Sequence, residues 1–427
     1  MPPFKKLILA AMLSCGATAA SASSVAEYNS PDRYHWWKYL QLLEQTIQKE
    51  IPAGSTVPAS DAQRMQLLRA VGSPLQRLGT ARAMLGDSMG AMAAFDTFEQ
   101  LTLYQQRKGQ PHADDDARLA AATPRDAIQA IVEAASKRQI VILNESHHVP
   151  MHRAFAAALA RELRKIGFDT LAVETFGATP DAWPYIHEQT GYYSNEPVFG
   201  HFLREARQDG WTFVQYEEER ADRSADDYPR LRELEQAENI QSRIFASRPN
   251  ARVFIYVGYS HSVETPIANK REDDVRMASH VRRITGIDPL TIDQTIMYAH
   301  ASPGAEQASY QQAQAKSHSQ FPFVLLAPGG QHEVFGEYRN GMDMQVIHPR
   351  YADSASGRPG WYAMLPQLQP HTIPASLYPA TGRKLITARA TGADPHAVPY
   401  DAIVISADAP APQLMLPPGS YTLRDSL

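Results

Sequence analysis

The sequence predicts an α/β protein: a mostly parallel sheet flanked by helices, preceded by a helical layer and followed by a small β-rich appendage. Three observations carry this expectation. Between residues 131 and 350, apolar strand-like runs alternate with amphipathic helical segments. The first strand follows to the second at a step of about 30 residues, the size of a right-handed βαβ unit. From 23 to 130 the pattern is helical, whereas from 370 to 427 short apolar pieces sit between Pro and Gly turns.

At 427 residues the chain has room for one large α/β domain and smaller additions. Hydrophobic residues make up 44% and charged residues 20%, values of an ordinary globular protein. The net charge of −5, with no basic stripe, gives no electrostatic reason to expect nucleic acid as a partner. Beyond the N-terminus no apolar run approaches the roughly 20 residues that cross a bilayer.

Residues 1–22 read as a signal peptide. Lys5 and Lys6 form its basic start, Leu7 to Leu13 its apolar centre, and Ala20-Ser-Ala22 an A-x-A cleavage site. The only cysteine, Cys15, closes Met12-Leu-Ser-Cys15, a loose lipid-attachment box. Two fates are therefore open, a periplasmic or secreted protein cleaved after Ala22, or a lipoprotein anchored through Cys15. Either way the mature chain is exported and has no internal disulfide.

In the helical region, Tyr34 to Leu43 carries apolar residues at helical spacing, with Asp32 as its cap. Ala59-Ser-Asp61 opens a second helix. Leu78-Gly79, Gly86-Asp87, Ala91 and Phe95 have the offsets of one tetratricopeptide-type helix pair. A single repeat cannot bury its own face, so these helices are expected to cover the main domain.

Thr123-Pro-Arg-Asp126 reads as a helix start leading to the first strand, Ile140 to Leu143. The next helix, from about Met151 to Ile166, places Phe155, Leu159 and Leu163 on one face and stops at Gly167. Strand two is Thr170–Val173. A long loop, 180–196, is expected to act as a lid or binding wall. A helix from Val198 to Gln208 precedes strand three, Trp211 to Tyr216. A polar helix with Leu231, Leu234, Ile240 and Ile244 at core spacing precedes strand four, Arg252 to Val257. A helix from Asp273 to Thr285 leads to strand five, Leu290 to Thr295. Phe321 to Ala327 is the sixth strand, set at an edge by Pro322.

In open α/β sheets ligands sit off the carboxyl ends of the strands. This ordering hangs Glu145 and His147 off strand one, Glu174 off strand two, Glu217 off strand three and His261 off strand four. Adjacent strands lie about 4.8 Å apart, so these groups can converge. Two carboxylates that close repel unless one is protonated or a cation lies between them. Such a set suits a divalent metal and its water, or an acid–base pair. Blander readings stand beside this. A histidine after a strand is commonly a solvated or capping residue, and Glu174 can accept backbone donors from the next turn. Glu217 to Glu219 suits a solvated helix start, and His148 and His152 a first helical turn. Four ionisable groups at four corresponding strand ends raise the set above its members.

Asn144-Glu-Ser-His147 and Gly258-Tyr-Ser-His261 resemble the paired motifs of the superfamily that joins erythromycin esterases, ChaN-like haem-binding lipoproteins and Tiki/TraB proteins. Glu145, His147 and His152 are similar in type and spacing to the ChaN-like G-E-x-H motif and its following histidine. Glu174 matches the acid after strand two. Gln236 and Glu238-Asn239-Ile240 are similar to the superfamily's R-x-x-N-M segment, with Gln236 in place of its arginine and Ile240 in place of its methionine; Asn144 replaces a glycine, and Asn tolerates left-handed backbone angles. The resemblance covers about 140 to 295 and implies an exported hydrolase acting on an ester or peptide bond of a small-molecule or peptide substrate. In it Glu145 or Glu174 is the general base. His147 and His261, with Glu145 and Glu174, bind a divalent metal (Zn, Mn or Co), or the histidines steady an oxyanion. Ser146 and Ser260 lack the context of a nucleophile elbow. The competing implication is a haem- or iron-binding protein without turnover, its axial ligands drawn from His148, His152 and Tyr259. A third reading leaves the site degenerate and makes the N-terminal helices a docking surface.

Overall fold

The computed structural model describes residues 33–52, 54, 60–102, 112–217, 228–266 and 275–425. The leader-like residues 1–22, the Asp32 cap, Glu218, Glu219 and Asp273 lie outside the described residues.

The chain opens with helices α1 (Arg33–Glu50), α2 (Asp61–Met84), α3 (Ser88–Thr102) and α4 (Asp115–Ala121). Ser60 caps α2 by accepting from the Gln63 N–H. Helices α2 and α3 form the expected pair. Gly79 makes their approach possible, since a Cβ there would lie 2.4 Å from the Phe95 ring. The layer is fastened on two sides. Trp36, Trp37, Leu40 and Leu78 share a core with Leu385 and Ala402 of the C-terminal region. On the α/β side, the Asp96 carboxylate meets His300 Nδ1 at 2.6 Å.

Residues 123–126 form strand β1 (Thr123–Asp126) rather than the expected helix start, pairing antiparallel with β7 (Phe323–Leu326). The residue before a proline is pushed toward extended backbone, and an edge strand can spare the proline's missing N–H. Asp126 takes the capping role, accepting from the Gln129 N–H at 2.8 Å ahead of α5 (Ala127–Ala135).

The central elements follow as β2 (Ile140–Glu145), α6 (Pro150–Lys165), β3 (Thr170–Val173), α7 (Pro197–Gln208), β4 (Thr212–Phe213), α8 (Tyr228–Ile240), β5 (Val253–Gly258), α9 (Met277–Thr285), β6 (Leu290–Asp293), the short α10 (Tyr310–Gln314) and, after β7, β8 (Met344–Gln345). Six strands make one parallel sheet in the order β4-β3-β5-β2-β6-β8. Every residue of β2 and β5 is buried, which is why both are written as continuous apolar runs. Their register sets Glu145 beside Gly258, and Val173 beside Tyr256, so three strands end at one rim.

Three elements differ from the sequence expectation. Only Thr212–Phe213 of strand three pairs, and Val214 to Tyr216 continue outside the ladder. Phe323–Leu326 lies off the main sheet with β1, and β8, too short for any periodic signal, takes the sixth place. On α8, Leu231 and Leu234 are half-buried, whereas Glu233, Gln236, Ala237 and Ile240 face inward. The loop 180–196 is irregular apart from one 3₁₀ turn, Tyr193–Asn195.

The C-terminal region is antiparallel: β10 (Arg383–Ala390) lies between β11 (Asp401–Ser406) and β13 (Tyr421–Asp425), and β9 (Gln369–His371) pairs with β12 (Leu414–Leu416). Ile373, Ile386, Ile403, Ile405 and Leu414 give it a core of its own. No helix of the described residues is long and apolar enough to cross a membrane.

Candidate functional site at the strand ends

Glu145, His147, Glu174, Glu217 and His261 converge at the rim where β2, β3 and β5 end. Their carboxylates are buried behind, while the two imidazoles and an arginine face outward. Side-chain exposure is 1% for Glu145 and 7% for Glu174, against 12% for His147 and 17% for His261 and Arg232.

Glu145 is held from two sides. Arg153, wholly buried on α6, donates Nε–H and Nη2–H to it at 2.8 and 2.9 Å, and its Nη2 also reaches the His147 carbonyl. His147 Nδ1 lies 2.7 Å from Glu145 Oε1. Burial would raise the Glu145 pKa, but Arg153 and then His147 outweigh it and bring it down to about 2. A carboxylate only accepts, so the His147 proton sits on Nδ1 and the Nε2 lone pair lies beside Gly258, 3.9 Å from Glu174 Oε1. Tyr193 of the long loop stacks on the imidazole at 3.9 Å, and Tyr259 meets its edge. Gly258 supplies the space, since a Cβ there would stand 2.4 Å from His147 Nε2 and 2.9 Å from Glu174 Oε2.

The other half is organised by Arg232, on α8. It donates Nη2–H to Glu174 at 2.8 Å and to Glu217 at 3.0 Å, while Nη1 lies 3.0 Å from His261 Nε2. An arginine cannot accept, so His261 Nε2 accepts and its proton is on Nδ1, donated to Glu233 at 2.9 Å. Glu233 is anchored in turn by the Met277 N–H and by Arg276. Glu174 accepts the Gly258 N–H at 2.6 Å as well. The two carboxylates sharing Arg232 are driven apart. Burial opposes ionisation of both, yet Arg232 holds Glu174 well below the usual carboxylate range. Glu217 is shifted upward by burial and by the Glu174 charge, against the pull of Arg232.

The donor set was tested against the metal that the resemblance implies. Both oxygens of Glu145 and of Glu174 accept hydrogen bonds, and both nitrogens of His261 are engaged. The Arg232 guanidinium already holds Glu174 and His261 Nε2, and the Arg153 guanidinium holds Glu145. The residues therefore do not fit a metal without expelling Arg232.

The remaining site candidates lie elsewhere. His148 is stacked on Phe95 of α3 at 3.5 Å, with the Tyr259 hydroxyl 3.4 Å from its Nδ1. His152 points into the core: its Nδ1 accepts the Ser146 N–H, and its ring meets Tyr298 and His348. Arg153, Arg232 and Glu233 were not singled out by sequence; Gln236, named there only for its place in the helix motif, donates to Glu217 at 3.1 Å. The usable signal was the helical spacing of Arg232 and Gln236, four apart on one face of α8.

No protein-family model matches the chain, and no curated protein matches it. Among solved structures, the signal recognition particle receptor FtsY from Elizabethkingia anophelis is similar over 69% of this chain and 79% of that one, at 14% identity and a TM-score of 0.23. A likeness that loose carries no argument.

Proposed function

We propose that the strand-end site is that of a hydrolase acting on an ester or peptide bond, with His147 as general base. The observation that carries this is the 2.7 Å contact between Glu145 and His147 Nδ1, which puts the proton on Nδ1 and the lone pair on Nε2. A buried carboxylate that fixes the tautomer of an imidazole is the arrangement that lets the free nitrogen take a proton from water. Glu145 and Glu174 are too acidic and too fully hydrogen-bonded to serve as the base themselves.

Arg232 supports the second requirement, a cation where negative charge develops on the carbonyl oxygen. Its Nε–H and second Nη1 hydrogen have no partner among the described residues, so it can receive a ligand oxygen without releasing the carboxylates. The resemblance to the erythromycin esterase and ChaN-like superfamily favours the same reaction class, and residues 1–22 are the ground for placing the enzyme outside the cytoplasm.

The test is turnover on a panel of nitrophenyl esters and short peptides. His147→Ala should fold normally and lose activity on whatever the wild type cleaves. Full turnover by a folded His147→Ala would sink the proposal.

A further inference from the structure

A second cluster of ligating side chains lies away from the strand ends, where the loop 180–196 meets the turn between β10 and β11. His187 and Glu188 come from the loop and His396 from the turn. One donor atom from each lies within 4.8 Å of the others. We propose that these residues form a binding site for a zinc-like divalent transition metal, independent of the strand-end site, which ties the loop to the C-terminal β region.

The backbone holds the two segments together before any ion arrives. His187 and Ala397 form an antiparallel bridge, the Glu188 N–H donates to the His396 carbonyl at 3.0 Å, and the Val398 N–H donates to Ile186 at 2.9 Å. His396 Nδ1 already meets Glu188 Oε1. His187 is fixed by Trp183, stacked on its ring at 4.0 Å, and its Nδ1 lone pair accepts the Gln189 N–H, a hydrogen bond that ligation of an ion must replace. Donors about 2.0–2.2 Å from an ion at tetrahedral corners stand roughly 3.5 Å apart. Small side-chain rotations therefore close the set.

The chemistry of the donors selects the metal. Two imidazoles and one carboxylate suit zinc and its neighbours, whereas calcium and magnesium prefer oxygen alone. His187 and Glu188 are buried and the His396 side chain is 62% exposed, so the fourth position faces water. Asp394 accepts the His396 backbone N–H at 2.8 Å and steadies the turn behind the ligand. The consequence reaches the strand ends, because the same loop carries Tyr193, which covers His147, and Glu196, which supports Arg153.

The experiment is calorimetric titration of untagged, chelator-stripped full chain with zinc chloride, repeated with cobalt to read the ligand field in the visible spectrum. One equivalent should bind, the cobalt form should show tetrahedral-type absorption, and Tm should rise by several degrees. His396→Ala and Glu188→Gln should weaken binding by at least the roughly 10–100-fold that outer-shell changes cost, while His147→Ala leaves it unchanged. Absence of one-equivalent binding, binding indifferent to His396→Ala, or binding abolished by His147→Ala would each overturn the proposal.

Discussion

Glu145 Oε1 and His147 Nδ1 lie 2.7 Å apart although only two residues separate them, because β2 ends at Glu145 and the turn brings the imidazole back over the carboxylate. Arg153 closes the arrangement from beneath, so three charged or polar groups share one buried contact. The two partners differ in what their loss would do. His147 is partly exposed, hydrogen-bonds to Glu145 and stands 3.9 Å from Glu174. His147→Ala should lower kcat/KM by about 10²–10⁴, the usual contribution of a general base, with little change in Tm. Glu145→Gln should lose comparable activity and also leave Arg153 buried without its main counter-ion, at about 3–5 kcal/mol of stability. Paired kinetics and urea unfolding on both variants separate the roles.

Arg232 is the only cation bonded to both Glu174 and Glu217 among the described residues. Arg232→Ala should therefore destabilise the fold by about 3–5 kcal/mol at neutral pH, since two buried carboxylates would face each other unscreened. The loss should shrink as pH falls and Glu217 takes up a proton. Arg232→Lys should not restore activity, because a point ammonium cannot bridge two carboxylates and an imidazole in one plane. Denaturant titrations at two pH values, with activity measured alongside, check both statements.

The strand ends were legible because a parallel sheet buried on both faces writes its strands as apolar runs, and the first polar residue after each run marks the rim. Glu145, His147, Glu174 and His261 stand out for that reason. The α8 contribution was hidden. Arg232, Glu233 and Gln236 sit among other polar residues in a helix whose visible signal was Leu231 and Leu234, so the buried face read as solvated. Arg153 does carry a signal in the sequence, since one guanidinium ahead of the apolar run Ala154 to Ala160 needs a buried carboxylate as partner. Strand β8 could not be read at all, since two residues carry no period.

Acid should unfold the protein in a window that these carboxylates define. Burial alone would raise them, but Arg153 and His147 bring Glu145 to about 2, and His261 with Arg276 brings Glu233 to about 2. Both pKa values lie below the ordinary 4.5. Their stabilisation is therefore complete above 4.5 and disappears as pH falls toward 2, on the order of 3 kcal/mol for each group. Glu217 runs the other way, since its raised pKa favours the fold at low pH and partly offsets the loss. The urea midpoint should drop steeply between pH 5 and pH 3, to use round experimental points, and Glu233→Gln should flatten that drop.

Haem should not bind through the histidines once considered as axial ligands. His148 is pressed face to face against Phe95, and His152 is wholly buried with its Nδ1 engaged by Ser146. Ligation would require parting α3 from the α/β domain or opening its core. Adding haem to the purified protein should give no Soret shift that His148→Ala or His152→Ala abolishes. A shift abolished by either variant would restore the binding reading.

Gly258 offers the sharpest separation of site from scaffold. Its backbone is extended, with φ −85°, so alanine brings no backbone strain. The obstacle is purely spatial: the added Cβ would stand 2.4 Å from His147 Nε2 and 2.9 Å from Glu174 Oε2. Both side chains must retreat, His147 against Tyr193 and Glu174 against Arg232. Gly258→Ala should cost about 1–3 kcal/mol of stability, as overpacking does. On the proposed mechanism, displacing His147 by a fraction of its own width should lower kcat toward roughly 10²-fold. Thermal unfolding and steady-state kinetics on this one variant measure the two effects. A Gly258→Ala protein with unchanged turnover would mean that His147 Nε2 does not face the reacting bond.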